Sequence, residues 1–192
     1  MSVTEGKPLR ADAHRNRERL LDAARRSFSA DDGEKVALEA IAREAGVGIG
    51  TLYRHFPTRE ALVEAVYRAE LGKLCASAAE LLAVQPPDAA LRSWMDRFGD
   101  YLATKREMAE ALRAVIVSGA VTSSQTRAEM STAVMKMLEA GASDGSLRGD
   151  VRAEDVVASL VGIFLACGQP DQRDQAGRML DLLMDGIRVS GR

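Results

Sequence analysis

The sequence of 192 residues has few of the residue types that build metal centres and disulfide scaffolds. It contains two cysteines, Cys75 and Cys167, and two histidines, His14 and His55. Both cysteines lie in apolar helical sequence without a partner at metal-ligand spacing, which favours buried free thiols. A histidine-based metal or catalytic cluster is nearly excluded. We therefore expect neither a metal site nor a cofactor.

Proline and long apolar runs are also scarce. The five prolines and the glycines cluster where helices should end, and runs of β-branched residues are short. These features predict an all-α protein. The N-terminus has no apolar signal segment, and the longest apolar run, residues 156–167, is too short to span a bilayer. We expect a soluble, cytoplasmic protein with no membrane partner.

The charged residues are distributed unevenly along a chain whose formal net charge is −2. Positions 7 to 26 hold seven basic residues against three acidic ones. A local positive region of this kind attracts phosphate over a range of about 8 Å at physiological salt. The alternative is an ordinary solvated helix face. The net negative charge therefore does not exclude a nucleic-acid partner.

Residues 37–56 predict two short helices joined by a glycine turn. The apolar positions of the first helix recur at three- and four-residue spacing, and Gly46 stands where a helix ends in a left-handed residue. The second helix is expected at about residues 48–55, with Leu52 and Phe56 facing inward. In a helix-turn-helix, the second helix lies in the DNA major groove and the first crosses the backbone. This segment therefore predicts a DNA-reading motif.

A family resemblance is carried by four short segments: Ile41-Ala42, Ala45-Gly46-Val47 and Gly50-Thr51-Leu52-Tyr53-Arg54-His55-Phe56, followed by Arg59-Glu60-Ala61-Leu62. Through these residues the motif resembles the TetR family of transcriptional regulators, over about the first third of the chain. The resemblance implies an N-terminal three-helix DNA-binding domain and a C-terminal helical bundle for ligand binding and dimerisation. We place the DNA-binding domain at residues 1–57, with its helix-turn-helix at about 37–56, and the second domain at residues 58–192.

The residues expected to contact DNA lie on the outward side of the second helix and just beyond it. The family resemblance implies contacts with the DNA backbone for Thr51, Tyr53, His55 and Arg59. Arg54 can reach phosphate or base, and Ile49 can contact a thymine methyl. Packing within a small domain is the alternative role for the tyrosine and the histidine. The sequence departs from the family at Gly48, where Ser or Thr often caps the helix. The predicted DNA-binding residues are Ile49, Thr51, Tyr53, Arg54, His55 and Arg59.

Beyond residue 57 the apolar periodicity predicts further helices. Thr58 is expected to cap a long helix that reaches about residue 84 and connects the motif to the C-terminal bundle. The remaining helices are expected at about 89–104, 108–117, 123–142, 153–167 and 171–189.

Methionine and aromatic side chains of this region are candidates for lining a ligand cavity. At helical spacing such a stripe is first of all a core, and this alternative stays open for each residue. No charged residue stands out among them, so the expected effector is a mostly apolar, uncharged small molecule. The candidates are Trp94, Phe98, Tyr101, Met108, Met130, Val134, Met137 and Phe164.

Of the last two helices, at about 153–189, the first is apolar around most of its circumference and the second has a broad apolar stripe. The simplest partner for so wide an apolar surface is a second copy of the chain, paired with it in a four-helix bundle. The alternative is that these are central helices within one chain.

Together these features predict a homodimeric DNA-binding repressor that binds a palindromic operator on double-stranded DNA and is released by a small molecule. Repression rather than activation rests on the family resemblance alone. The alternative is a helical protein-interaction module in which the helix-turn-helix is only a packing unit. We expect no enzyme, because the sequence has no nucleophile paired with a base and no phosphate-cradling glycine loop.

Overall fold

The computed structural model describes residues 6–30 and 36–189, and within these ranges every regular element is a helix. One isolated β-bridge pairs Leu147 with Arg188. The predicted all-α fold is confirmed. None of the described helices is both long and apolar enough to cross a membrane.

The helices follow the predicted order closely. They are α1 Gly6–Ala30, α2 Leu38–Glu44, α3 Ile49–His55, α4 Arg59–Leu82, α5 Pro87–Glu107, α6 Ala109–Val117, α7 Ser123–Asp144, α8 Ala153–Ala166, a short 3-10 helix Pro170–Gln172, and α9 Arg173–Ile187.

The chain divides into two compact units. The first contains the chain up to Ala69 together with Thr104–Val121, and the second contains Glu70–Ala103 together with the chain from Thr122 onward. Helices α4 and α5 therefore each contribute residues to both units. The domain boundary predicted at residue 57 falls between α3 and α4. The division into compact units differs from it, because the first unit also contains the first part of α4.

In the first unit, α1 packs against α2 and α3 around a small apolar core. The apolar stripe of α1 points inward because its members recur at helical spacing. Large side chains that are fully buried in this unit include Leu20, Phe28, Ile41, Leu52 and Leu62.

In the second unit, α7 packs against α8, and α8 packs against α9. Trp94 of α5 is fully buried, and its indole Nε1 donates a hydrogen bond of 2.9 Å to the carbonyl of Leu74. This bond satisfies the one polar group of the largest buried side chain. Leu91, Met95, Phe98, Val134, Met137, Leu160 and Met184 are also buried in this unit.

Three ion pairs connect α5 with α9 and with Arg188, the residue that follows α9. Residues early in α5 pair with residues late in α9, so the two helices run antiparallel. The pairs are Asp88 with Arg188 at 3.2 Å, Arg92 with Asp181 at 2.7 Å, and Asp100 with Arg173 at 3.1 Å. Most of these side chains are exposed, so each pair contributes about 0–1 kcal/mol.

The end of α7 is closed by a tight contact between Gly141 and Leu147. The backbone N–H groups of Ser146 and Leu147 both donate to the Gly141 carbonyl at 2.9 Å. Leu147 is buried, and a Cβ atom placed on Gly141 would lie 2.4 Å from its Cγ and Cδ1 atoms. Glycine is required here because the leucine occupies the space of a side chain.

Candidate nucleic-acid interface

The turn between α2 and α3 has the conformation that the sequence predicted. Gly46 has a φ of +64°, its N–H donates to the Arg43 carbonyl at 3.0 Å, and the N–H of Val47 donates to the Ala42 carbonyl at 2.9 Å. A residue with a Cβ atom is strained in this left-handed region. The predicted helix-turn-helix is therefore present at the expected place.

The start of α3 is capped by backbone alone. Gly48 is the N-cap residue with φ −66° and ψ 143°, and as a glycine it has no side chain that could bond to the free N–H groups of the first turn. The Gly48 carbonyl accepts from Thr51 N–H at 2.8 Å, which begins the helix. A Cβ atom at Gly48 would meet nothing within 4 Å, so the position has room for a larger residue.

Helix α3 buries one side and exposes the other. Leu52 is fully buried, and Phe56 just after the helix is 3% exposed. Ile49 and Tyr53, one helical turn apart, are 37% and 44% exposed. These two positions share one face of the helix, which lies away from the core.

The other predicted residues of α3 differ in exposure. Arg54 is exposed, while Thr51 and His55 are half-buried. The five predicted residues of α3 therefore stand on one short helix, with hydrogen-bond donors of three chemical types and one permanent cation. Such a set can contact phosphate oxygens and base edges.

Arg59 is placed differently from the others. Its guanidinium lies over the ring of Phe28, 5.0 Å from the ring centre, and donates a hydrogen bond to the carbonyl of Val36. The side chain is half-buried at the start of α4. Arg59 therefore holds α1 and the segment before α2 in place, and a contact with DNA would come in addition to this structural role.

The arginines of α1 make contacts that local sequence patterns do not reveal. The sequence indicates a positive region for phosphate, whereas the structure also gives four of its arginines intramolecular partners. Arg15 pairs with Asp12, Arg17 lies 5.5 Å from the ring centre of Phe56, Arg19 donates to the Gly46 carbonyl at 3.2 Å, and Arg26 pairs with Glu44 at 2.8 Å. Three of these partners belong to the helix-turn-helix or follow it directly, and no spacing rule connects them to α1.

The predicted ligand residues lie mostly in the cores. Phe98 is central among the aromatic ones, with ring centres 5.9 Å from Trp94, 6.4 Å from Tyr101 and 5.9 Å from Phe164. Phe164 is half-buried, and the other predicted ligand residues are buried. Met108 belongs to the first compact unit, whereas Met130, Val134, Met137 and the aromatic residues belong to the second. The structure thus brings the four aromatic side chains together within the second unit.

Comparison with known proteins identifies both parts of the chain. Residues 20–66 match the family described as bacterial regulatory proteins, tetR family, and residues 86–189 match the family described as transcriptional regulator SbtR-like, C-terminal domain. A helix-turn-helix-type transcriptional regulator of Staphylococcus aureus (strain USA300) is 38% identical over 63 residues, which cover 33% of this chain and 34% of that protein. The chain thus matches about a third of that relative's length.

Two solved structures are similar over nearly the whole chain. The TetR transcription regulatory protein from Mycobacterium vanbaalenii is 33% identical, with a TM-score of 0.73, over 95% of this chain and 100% of that one. A TetR transcriptional regulator from Streptomyces coelicolor is 50% identical, with a TM-score of 0.80, over 91% of this chain and 99% of that one. With the helix-turn-helix seen above, these matches show that the chain belongs to the TetR family of DNA-binding transcriptional regulators.

Proposed function

We propose that the protein is a homodimeric repressor that binds a palindromic operator through α3 and is released by an apolar small molecule. The observation that carries the proposal is the outward face of α3. Leu52 anchors the helix in the core, while Ile49, Tyr53 and Arg54 are exposed. Ile49 and Arg54 each present exposed surface on this short helix, and such a surface suits a partner that enters from outside.

Each predicted residue of α3 has a chemical role on DNA. Arg54 pairs with phosphate or donates to a guanine edge, and Ile49 contacts a thymine methyl near the helix N-terminus. The phenol of Tyr53, the hydroxyl of Thr51 and the imidazole of His55 donate to phosphate oxygens. Phosphate contacts set the orientation of the helix, and base contacts select the sequence.

Dimerisation is supported by apolar side chains that stay exposed on the last two long helices. Leu165 of α8 is 83% exposed, Leu182 of α9 is 71% exposed, and Val161 of α8 is 37% exposed. Burying a leucine side chain gains about 1.5–3 kcal/mol. A second copy that covers this surface would present two α3 helices to successive major grooves, about 34–36 Å apart.

Release by a ligand is supported by the continuity of α4. This helix runs unbroken from Arg59 to Leu82 and contributes to both compact units. An apolar effector bound near the aromatic residues around Phe98 would favour a dimer with an altered spacing of the two α3 helices. Such coupling is typically worth about 1–3 kcal/mol, or roughly 5- to 150-fold in DNA affinity.

DNA binding is tested with a duplex taken from the region upstream of the protein's own gene and a shuffled duplex of the same composition. We expect preference for the upstream duplex, with an affinity that falls steeply between about 50 and 200 mM salt. Arg54→Ala should reduce the salt slope by about two, about one for each copy in the dimer, whereas Arg127→Ala, which removes an exposed arginine of α7, should leave it unchanged. Equal affinity for the two duplexes would refute the proposal and favour a protein-interaction module.

The dimer is tested by sedimentation at micromolar concentration with Leu182→Glu. The substitution occurs twice in a symmetric dimer, so the loss of about 3–6 kcal/mol should weaken association by about 10²- to 10⁴-fold. Val84→Glu is the matched control, because Val84 is 78% exposed and lies outside α8 and α9. A Leu182→Glu protein that remains fully dimeric would overturn this interface.

A further inference from the structure

Helix α3 has little packing of its own to hold its angle. It has seven residues, and Leu52 is the buried side chain within it. A helix of two turns with one buried side chain can tilt unless neighbouring groups fix its ends, because so short a helix is marginal by itself. The angle of α3 therefore depends on contacts made by the segments before and after it.

Helix α1 supplies contacts at both of these segments. Before α3, Arg19 Nη2 donates to the Gly46 carbonyl at 3.2 Å, and a Cβ atom on Gly46 would lie 2.5 Å from the same nitrogen. The guanidinium thus fills the space that a side chain at the turn would occupy. After α3, the guanidinium of Arg17 lies over the ring of Phe56. The backbone N–H of Phe56 donates to the Leu52 carbonyl at 2.8 Å, and this bond ends the helix.

We propose that Arg19 is a positioning residue that fixes the turn before α3, with Arg17 supporting the other end. The inference rests on the proposed DNA-reading role of α3. It assigns Arg19 a function different from phosphate attraction, although Arg19 is itself exposed and basic. The two roles differ in their response to salt, because a residue that only positions α3 releases no counterion from DNA.

The first test uses amide hydrogen exchange in the free protein. Arg19→Ala should accelerate exchange of the Thr51 and Leu52 amides, which bond to the Gly48 carbonyl, by about tenfold. Arg19→Lys keeps a cationic donor and should restore most of the protection. Amides of α7 should be unchanged in both variants, which shows that the protein remains folded. Unchanged exchange at Thr51 and Leu52 in Arg19→Ala would overturn the proposal.

The second test measures binding to the upstream duplex across the same salt range. Arg19→Ala should lower affinity by about tenfold at every salt concentration and leave the slope unchanged, whereas Arg54→Ala should lower the slope by about two, about one for each copy in the dimer. A slope reduced equally by both variants would make Arg19 a phosphate contact and overturn the proposal. If the wild-type protein shows no preference for the upstream duplex, the repressor function fails, while the exchange experiment still decides the role of Arg19 in holding α3.

Discussion

Replacing Gly141 with alanine should destabilise the protein, although alanine is the better helix former. In a helix, alanine is favoured over glycine by up to about 1 kcal/mol. Against this gain stands the contact at 2.4 Å between a new Cβ atom and Leu147. Real Cβ atoms do not approach a neighbour so closely, so Leu147 or the backbone must move.

The magnitude depends on how easily Leu147 can move. Its side chain is 1% exposed, and its N–H is bonded to the Gly141 carbonyl. The next residue, Arg148, donates from its N–H to the Ile187 carbonyl at 2.9 Å, which ties the segment to the end of α9. Overpacking of a fixed site costs about 1–3 kcal/mol, so we expect the upper part of this range and a net loss of about 1–2 kcal/mol.

The assay is thermal unfolding at a fixed protein concentration, since the midpoint of an oligomer depends on concentration. For a chain of this size, the expected loss lowers Tm by roughly 2–8 °C. Gly72→Ala is the matched control. Gly72 lies within α4 with nothing within 4 Å of a built Cβ atom, so this substitution should raise stability by about 0.5–1 kcal/mol. If Gly141→Ala raises Tm, as Gly72→Ala is expected to do, the reasoning about Leu147 is refuted.

Two further predictions concern the cap of α3 and a thiol. Gly48→Ser should stabilise the protein by a few tenths of a kcal/mol, because the serine hydroxyl caps α3, and it should strengthen DNA binding, because the hydroxyl can donate to a phosphate. Thermal unfolding measures the stability and a DNA titration measures the affinity. Weaker DNA binding would contradict the expectation. Burial, with a smaller contribution from Glu129, raises the pKa of Cys75 to about 11. Alkylation of Cys75 at pH 8, followed by mass spectrometry, should be on the order of a hundredfold slower in the folded than in the unfolded chain. Because the pKa is raised in the folded state, the contribution of Cys75 to stability is present below about pH 8.5 and is lost as pH rises towards 11.

The sequence allowed the local elements to be predicted well. The turn at Gly46 and the reading helix were predictable because helix periodicity and the left-handed preference of glycine act over a few residues. The boundaries of α5 were less accurate. It begins at Pro87 rather than at about residue 89, because proline suits the first position of a helix, and it continues to Glu107.

Contacts between distant residues could not be predicted. Arg59 was predicted only as a DNA contact, yet it packs on Phe28 and bonds to Val36. The same holds for Arg19 and its bond to Gly46. A guanidinium on a helix surface suits phosphate, an aromatic ring or a carbonyl equally well. Only the folded positions of the partners decide among them.

The row of ion pairs between α5 and α9 has a practical consequence for measuring DNA affinity. These pairs are exposed and individually weak, and the same helices are anchored by fully buried residues such as Trp94 and Met184. Added electrolyte screens the pairs but leaves the apolar anchors intact. A titration with potassium chloride therefore reports the detachment of phosphates from a folded protein, and its slope can be interpreted as the number of displaced counterions.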